Sequence, residues 1–342
     1  MPSLEERRAE TAGAAVAVPM WVDWAALERA GQLFRRAGVA GGLVLGLRSL
    51  VFGYAAPAGN KPLALSGRLE SFGARRLAET GKFTSAVCAS GGMRVGAPGW
   101  SSTLRVRLMH AQVRRLISAS ARYDHVAWGR PINQHDMLST ILLFSTVFTE
   151  GLEMMGLRVS AQEKEDYVQL WRYVAHVIGV DHEVIPTSEA EARRYAELIE
   201  LTQGAPDQDS KALTHALLNG PIRAMSKRDE RSLAVARTQR DLAEGLCRSF
   251  VGEEVADGLG LSKTPWRWTI PLLRPSLRSV EAVRERSSLL TAVAEYLGTS
   301  YWDHAVQSGL RGGVAQFDLP TRLLGNGCPG LQARGFGGTG DL

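Results

Sequence analysis

Apolar residues recur along this chain at intervals of three and four, and no run of alternating β-branched residues exceeds a few positions. The first spacing is that of amphipathic helices, and the second pattern would mark strands. Helices are predicted over about 24–37, through the apolar stretch to about Tyr54, and from Leu65 or Ser71 through Thr80, where Gly81 interrupts. Phe83, Val87 and Cys88 carry the pattern on toward Gly91 and Gly92. A Gly- and Pro-rich segment, 91–101, leads into a helix containing His110. Pro131 to Gln134 reads as a turn, and Asp136 lies in the first turn of one long apolar helix reaching Met155, where acidic charge suits a helix start. Ser160 with Glu163 and Ser188 with Glu191 have capping-box spacing and open two more helices. Helical patterns also cover about 210–225, 228–249, 279–297 and 300–310, with Pro265, Pro271 and Pro275 marking an irregular connection. The expectation is an all-α protein: a mobile tail over 1–20, one helical domain over 21–312, and a Gly-rich tail over 313–342.

The stretch 104–136 concentrates the chemistry. At about 100° per residue, Arg107, His110 and Arg114 fall on one helical face. Val106, Met109, Val113 and Ile117 line one flank of it, and Leu104, Leu108 and Ala111 line the other. Two apolar stripes predict a largely buried helix, and a buried guanidinium needs an anionic or strongly polar partner. The imidazole between the arginines is available as a base or a metal ligand. On spacing alone the plainer reading also stands: a hydrogen-bonded structural histidine and arginines that reach water at a face edge.

Composition narrows the classes. With 342 residues, 45% hydrophobic and 22% charged, the chain can bury a sizeable core. The net charge of +5 is spread out. Short basic runs such as Arg193-Arg194 and Lys227-Arg228 alternate with acids, so no nucleic-acid partner is expected. Cys88, Cys247 and Cys328 are too sparse for a disulfide framework or a zinc site. None of the seven histidines follows a Glu by three residues, which excludes a paired Glu-x-x-His di-iron bundle. His-Glu-x-x-His, Gly-x-Ser-x-Gly, the P-loop and a strand-to-helix Gly-x-Gly-x-x-Gly are also absent. Glu5, Glu6 and Glu10 crowd the short apolar run Ala14–Val18, unlike a signal peptide, so a cytoplasmic protein is expected. Residues 39–57 are nearly long enough to span a bilayer, but Arg48 stands at their middle. A buried core helix packed through Gly41, Gly42 and Gly46 is expected, with membrane association the lesser alternative.

The segment RLMHAQVR (107–114), followed by GRPINQHDMLST (129–140), resembles the haem-dependent oxygenase family of bacterial rubber oxygenases (latex clearing proteins) and fungal MpaB-type oxygenases. By motif spacing the resemblance covers roughly 35–215; the last third matches only in helical character. It implies a globin-like helical core with additional helices, haem b as cofactor and O2 as co-substrate. Without Cys-x-x-Cys-His, the haem would be held by axial ligation and packing. In that family Arg-x-x-His-x-x-x-Arg is the haem-ligand helix. His110 therefore matches the proximal iron ligand, and Arg107 and Arg114 match arginines beside the haem. His176 is the rival ligand, which the resemblance assigns to the surrounding shell or core. His125, His135, His182, His215 and His304 read as surface residues or caps.

Arg76 and Thr80, at i and i+4, match an Arg-x-x-x-Thr pair that precedes the ligand helix. Rubber oxygenases carry a lysine, able to occupy the distal iron position, where this chain has Glu79; that gate is not carried over. Arg76, Glu79 and Thr80 are the catalytic candidates, with Glu70 a weaker candidate for the family's upstream glutamate. Asn133 and Asp136 read as helix caps, Asp136 also as a candidate partner for one of the arginines. The implied reaction is oxidative cleavage or oxygenation of a carbon–carbon double bond in a small, apolar, unsaturated, isoprenoid-like substrate. Rubber oxygenases are exported and this N-terminus departs from them, so a substrate smaller than rubber is expected. The competing class is a non-catalytic haem-binding or structural helical protein of the same fold, for which Glu79 is the best support.

Overall fold

A computed structural model describes residues 17–65, 73–220 and 230–310, and of residues 73–76 the backbone alone. No strand occurs among the described residues. Helix α1 (Trp24–Val44) runs through a π-helical turn (Leu45–Ser49) into α2 (Leu50–Ala55), followed by α3 (Pro57–Leu65), α4 (Gly73–Val87) and α5 (Pro98–Ser118). A short α6 (His125–Trp128) precedes α7 (Gln134–Phe144), α8 (Thr146–Met155), α9 (Ala161–Ile178), α10 (Glu189–Thr202) and α11 (Gln208–Leu218). After the undescribed 221–229 come α12 (Glu230–Val251), α13 (Glu253–Gly258), a 3-10 turn (Pro265–Trp268), α14 (Thr269–Arg284) and α15 (Ser288–Leu310).

The long N-terminal rod is the post of the bundle. Asp23 caps it, accepting from the Ala25 amide at 2.8 Å. α8, α9 and α15 pack along it. Arg48, the charge in the middle of the apolar stretch, turns inward from the π turn. It donates to the Val147 carbonyl (3.1 Å), to the Phe250 carbonyl and to Glu150 (3.1 Å), so this segment is a core helix, as its pattern implied. Two helical runs, Trp24–Ala55 and Gln134–Met155, are long and apolar enough to cross a membrane by length and composition, and about half of each apolar window (50% and 56%) is buried inside the protein.

Aromatic side chains form the centre. Trp302 of α15 stacks on Phe34 of α1 (centroids 4.5 Å apart). Phe34 meets Phe148 of α8 (6.0 Å), which stacks on Tyr167 of α9 (5.3 Å). Trp171, one turn on, stacks on Phe144 of α7 (4.9 Å). Truncating one such ring costs about 3–5 kcal/mol, so this row joins five helices into one core.

Several boundaries differ from the sequence pattern, each for a visible reason. The long helix expected over 136–155 is two helices, because the Ser145 side chain bonds back to the Ile141 carbonyl (2.9 Å) and the backbone turns there. Gly81 does not interrupt α4. It faces α15, where a Cβ would lie an ordinary 3.5 Å from Val306. The proline segment forms the 3-10 turn and then α14. Pro271 occupies the first turn, which needs no donor, and Pro275 stands on an exposed position where water can take the freed carbonyl. The expected break near 297–300 is absent: α15 is continuous, and Gly298 is its point of closest approach to α1. A Cβ on Gly298 would overlap the Arg35 carbonyl and lie 3.2 Å from the Gly38 Cα. Opposite it, Gly38 takes a left-handed φ of 45° inside α1. Of the three glycines expected to allow close packing, Gly41 and Gly42 do so against Trp302 and Tyr301, whereas Gly46 meets only Leu77 at 3.8 Å. The expected tails lie outside the described residues, apart from the few at 17–20.

Gly298→Ala should therefore cost about 3 kcal/mol, because backbone must move to admit the methyl group. Gly81→Ala, with room and a helical backbone, should be neutral or gain up to about 1 kcal/mol. Urea unfolding of the two variants checks the contrast; equal effects would contradict the crossing.

Candidate functional site

α5 is aimed by the glycine segment before it. Gly92 and Gly99 press against the Ala86 carbonyl at the end of α4, where neither has room for a Cβ, and the Trp100 amide donates to the Gly92 carbonyl (3.0 Å). Pro98 opens the helix, and Ser102 and Thr103 both bond back to the Gly99 carbonyl (2.9 and 2.8 Å). Gly99, Trp100, Ser102 and Thr103 are buried, as is Ile117 near the far end. Every residue from 104 to 116 is half-buried or exposed. The largely buried helix expected from its two apolar stripes is thus buried only at its ends; Leu108 is 62% exposed.

Arg107, His110 and Arg114 lie on this uncovered stretch, all half-buried, and the Nδ1 atom of His110 is shielded from water. Of the anionic or strongly polar partners expected, the arginines take polar ones, backbone carbonyls. Arg107 Nη1 donates to the Val177 carbonyl (3.1 Å) in the last turn of α9, and its guanidinium covers Gly179 so closely that a Cβ there would lie 3.0 Å from Nε. Gly179 also has a φ of 95°, the left-handed conformation that favours glycine at a helix end. Arg114 Nη2 donates to the Ile132 carbonyl (2.6 Å), and its Nε lies 3.2 Å from both the Pro131 and Ile132 carbonyls. Ile132 has a φ of 52°, a strained conformation for a β-branched residue that the Arg114 grip holds in place. Desolvation, with Arg130 nearby, lowers the Arg114 pKa from its ordinary value.

His176 stands in the last turn of α9 under the N-terminal segment. Its ring stacks on Tyr173 (6.3 Å) and meets the edge of Trp21 (6.4 Å), over which Arg172 lies at 3.9 Å. Its Nε2 is buried without a hydrogen-bond partner. Burial lowers its pKa; a backbone contact at Ala17 opposes that shift and Arg107 adds to it. A neutral imidazole with an unused nitrogen results, close enough to Arg107 to share its field.

α4 packs beside α5 and carries Glu79 and Thr80, both half-buried. The backbone of Arg76 belongs to α4, but its side chain lies outside the described residues, as does all of Glu70. Asp136 does not pair with Arg107 or Arg114. Its carboxylate meets its neighbour His135 (3.5 Å), and the Asn133 side chain caps its amide (2.9 Å). Burial raises the pKa of Asp136, with His135 and the Asn133 contact opposing, and the carboxylate stands against Gly59 of α3. From the sequence this carboxylate, four residues past the strained Ile132, reads as a cap and a candidate arginine partner; its burial carries no local signal. Asn60, fully buried, donates to the Tyr54 carbonyl and Ser210 (both 2.9 Å) while its Oδ1 has no partner. No periodicity or motif signals that position. A cleft of about 330 Å³ between α1, the glycine segment and α9 is lined by Trp24, Glu28, Ser90, Met93, Arg94 and Leu170 and contains none of these candidates.

The donor set fits haem better than a bare ion. Among the described residues no three His, Cys, Asp or Glu side chains converge as a metal cluster. The Cys88 and Cys247 thiols are buried and pushed up in pKa, the latter to about 12, so neither offers a thiolate. What remains is a single imidazole on an uncovered helix face with a guanidinium one turn to either side, a set suited to an axially held porphyrin.

The chain matches the family model described as ER-bound oxygenase mpaB/B'/rubber oxygenase, catalytic domain, over residues 13–282. It is 28% identical over 256 residues to a rubber oxygenase of Streptomyces sp. (strain K30), an alignment covering 72% of this chain and 59% of that protein. The fold is shared with the closed state of latex clearing protein LCP at a TM-score of 0.66 and 22% identity, over 90% of this chain and 79% of that one. The chain is therefore all-α in the latex clearing protein fold and belongs to the MpaB and rubber oxygenase catalytic-domain family.

Proposed function

We propose that this protein is a b-type haem-dependent oxygenase that uses O2 on a small, apolar, unsaturated, isoprenoid-like substrate, cleaving or oxygenating a carbon–carbon double bond. The observation that carries the reading is α5, anchored at both ends, uncovered over 104–116, and presenting His110 between two arginines. The reaction type is taken from the family and from the name of the Streptomyces relative, a rubber oxygenase.

Haem, when bound, supplies the redox-active iron that O2 chemistry requires. His110 would hold the iron through its imidazole. Arg107 and Arg114 keep guanidinium donors beyond those given to backbone carbonyls, and these suit the haem carboxylates. His176, neutral and adjacent to Arg107, completes that wall. From the neighbouring helix, Thr80 offers a hydroxyl to orient a bound oxygen-containing group, and Arg76 shares its face by i, i+4 spacing. Glu79 replaces the lysine of the rubber oxygenases and supplies a carboxylate able to take a proton from an allylic carbon. Asp136, whose pKa burial raises from its ordinary value, is a second carboxylate near the turn that Arg114 grips. Leu77, Leu108 and the half-buried Leu104, Val106, Met109 and Val113 give α4 and α5 apolar surface that suits a hydrocarbon and keeps water out. The lysine-to-glutamate change also supports a second reading, a haem binder without turnover.

His110→Ala should remove the Soret band of the purified protein while circular dichroism stays near wild type. Haem loss in His176→Ala with retention in His110→Ala would reverse the ligand assignment.

Arg114→Ala should cost about 2–4 kcal/mol of stability, since it frees two carbonyls at a strained turn, and should also lower haem content. Wild-type stability and full haem occupancy together would count against both roles.

Aerobic incubation of haem-loaded protein with short unsaturated terpenoids and with rubber should yield carbonyl products carrying ¹⁸O from labelled O2, read by mass spectrometry. Full haem occupancy with no O2 consumed across such a panel selects the non-catalytic reading.

A further inference from the structure

We infer that Gln134 is a positioning residue: its side-chain amide clasps together the two backbone ends that Arg107 and Arg114 hold, so that His110 is presented from one closed frame. Gln134 is the first residue of α7, and its side chain reaches the loop after α9. Its Oε1 accepts from the Asp181 amide (2.9 Å), and its Nε2 donates to the Gly179 carbonyl (3.3 Å). One partner offers only a proton and the other only lone pairs, so a single orientation of the amide satisfies both.

Both ends of the clasp are already held from α5. On the α9 side, Arg107 donates to the Val177 carbonyl (3.1 Å), and its guanidinium covers Gly179, whose carbonyl Gln134 engages. On the other side, Arg114 donates to the Ile132 carbonyl (2.6 Å), two residues before Gln134. Asn133 stiffens that short span. Its Nδ2 donates to the Arg130 carbonyl (3.0 Å), and its Oδ1 accepts from the Asp136 amide (2.9 Å). A ring therefore closes from Arg107 through 177–179, Gln134 and 132–133 to Arg114, and back along α5 past His110.

The ring matters because no residue in the middle of α5 is fully buried, so packing does not set its rotation. Arg107 and Arg114 are about 10 Å apart along the helix, at 1.5 Å per residue. Side chains that far apart act independently unless they share a partner. A contact to a loop also fixes a helix only as firmly as the loop itself is fixed. Ile132 holds a strained φ of 52°, and Gln134 ties its turn to the ordered end of α9. Gln134 is exposed, so water can replace its bonds and its contribution to global stability is small. Its effect lies in the relative placement of the two carbonyl ends.

The test has two arms, and the first needs no haem. Urea unfolding of Arg107→Ala, Arg114→Ala and the double variant forms a double-mutant cycle, run with Gln134 and again with Gln134→Ala. With Gln134 present, losing either grip opens the ring. The double variant's change in unfolding constant should then fall about fivefold short of the product of the single changes. With Gln134→Ala the product should hold within about twofold. Arg107→Lys and Arg114→Lys, which lose the fork and keep the charge, replace the alanines should those variants not fold. Coupling that survives Gln134→Ala, or no coupling with Gln134 present, overturns the inference. The second arm rests on the haem reading above and follows the rate at which loaded protein gives up haem to apomyoglobin. Gln134→Ala should raise that rate about tenfold. Ser160→Ala, which removes the cap at the opposite end of α9, should lower the urea midpoint and leave the rate unchanged. Equal rates in wild type and Gln134→Ala, or an equal rise in Ser160→Ala, overturn the positioning role. A wild type that takes up no haem yet shows the coupling refutes the haem reading and leaves the clasp standing.

Discussion

The bundle depends on one close crossing, Gly38 of α1 against Gly298 of α15, where neither helix has room for a side chain. It sets the separation of the two longest partners in the core and lets Trp302 reach Phe34. Around it, arginines leave α1 toward different neighbours. Arg29 makes a two-pronged contact with Asp166 of α9 (2.6 and 2.8 Å), and Arg36 pairs with Glu163 of the same helix. Arg35 reaches Glu295 of α15 and the Cys88 carbonyl, and Arg48 spans α8 and α12. Taking such pairs out of water offsets much of their attraction, so their main physical consequence is register: each helix meets α1 at one depth.

The candidate site inherits that register at second hand. α4 and α9 are held by the post and its partners, and α5 lies against both. Because α5 buries nothing between Thr103 and Ile117, apolar packing alone does not fix the rotation of its middle. Arg107 supplies the missing constraint by gripping the end of α9, and Arg114 by gripping the 131–132 carbonyls. The depth at which His110 is presented is thus set by two guanidinium–carbonyl contacts.

The all-α fold was legible because helical periodicity needs only local spacing, and the caps at Asn133, Ser160 and Ser188 stand where side chain and period agree. The face shared by Arg107, His110 and Arg114 was legible for the same reason. What could not be read is what lies across from a helix. Apolar flanks on α5 implied burial, yet no residue of its middle, 104–116, is fully buried. Gly81 and the prolines looked like breaks, yet tertiary placement and solvent exposure remove their cost. Gly298 carried no signal at all, since a glycine needed for contact with a residue 260 positions away leaves no local pattern. Asp136 looked like a cap and is one, but its raised pKa comes from neighbours in space, α3 among them.

Arg107 and Arg114 tie the fold to the proposed cofactor. Each already satisfies carbonyls that would otherwise be short of donors, one at a helix end and one at a residue held in a strained φ. A haem carboxylate arriving at either guanidinium would strengthen, through charge-assisted hydrogen bonds, a side chain on which the local backbone already depends. A ligand that binds only the native arrangement stabilises it in proportion to the logarithm of its saturation. The strain at Ile132 works in the opposite direction, favouring release of the turn when the arginine is disengaged. Were haem to bind as proposed, the turn and the cofactor would be coupled through Arg114, because one side chain would serve both acceptors.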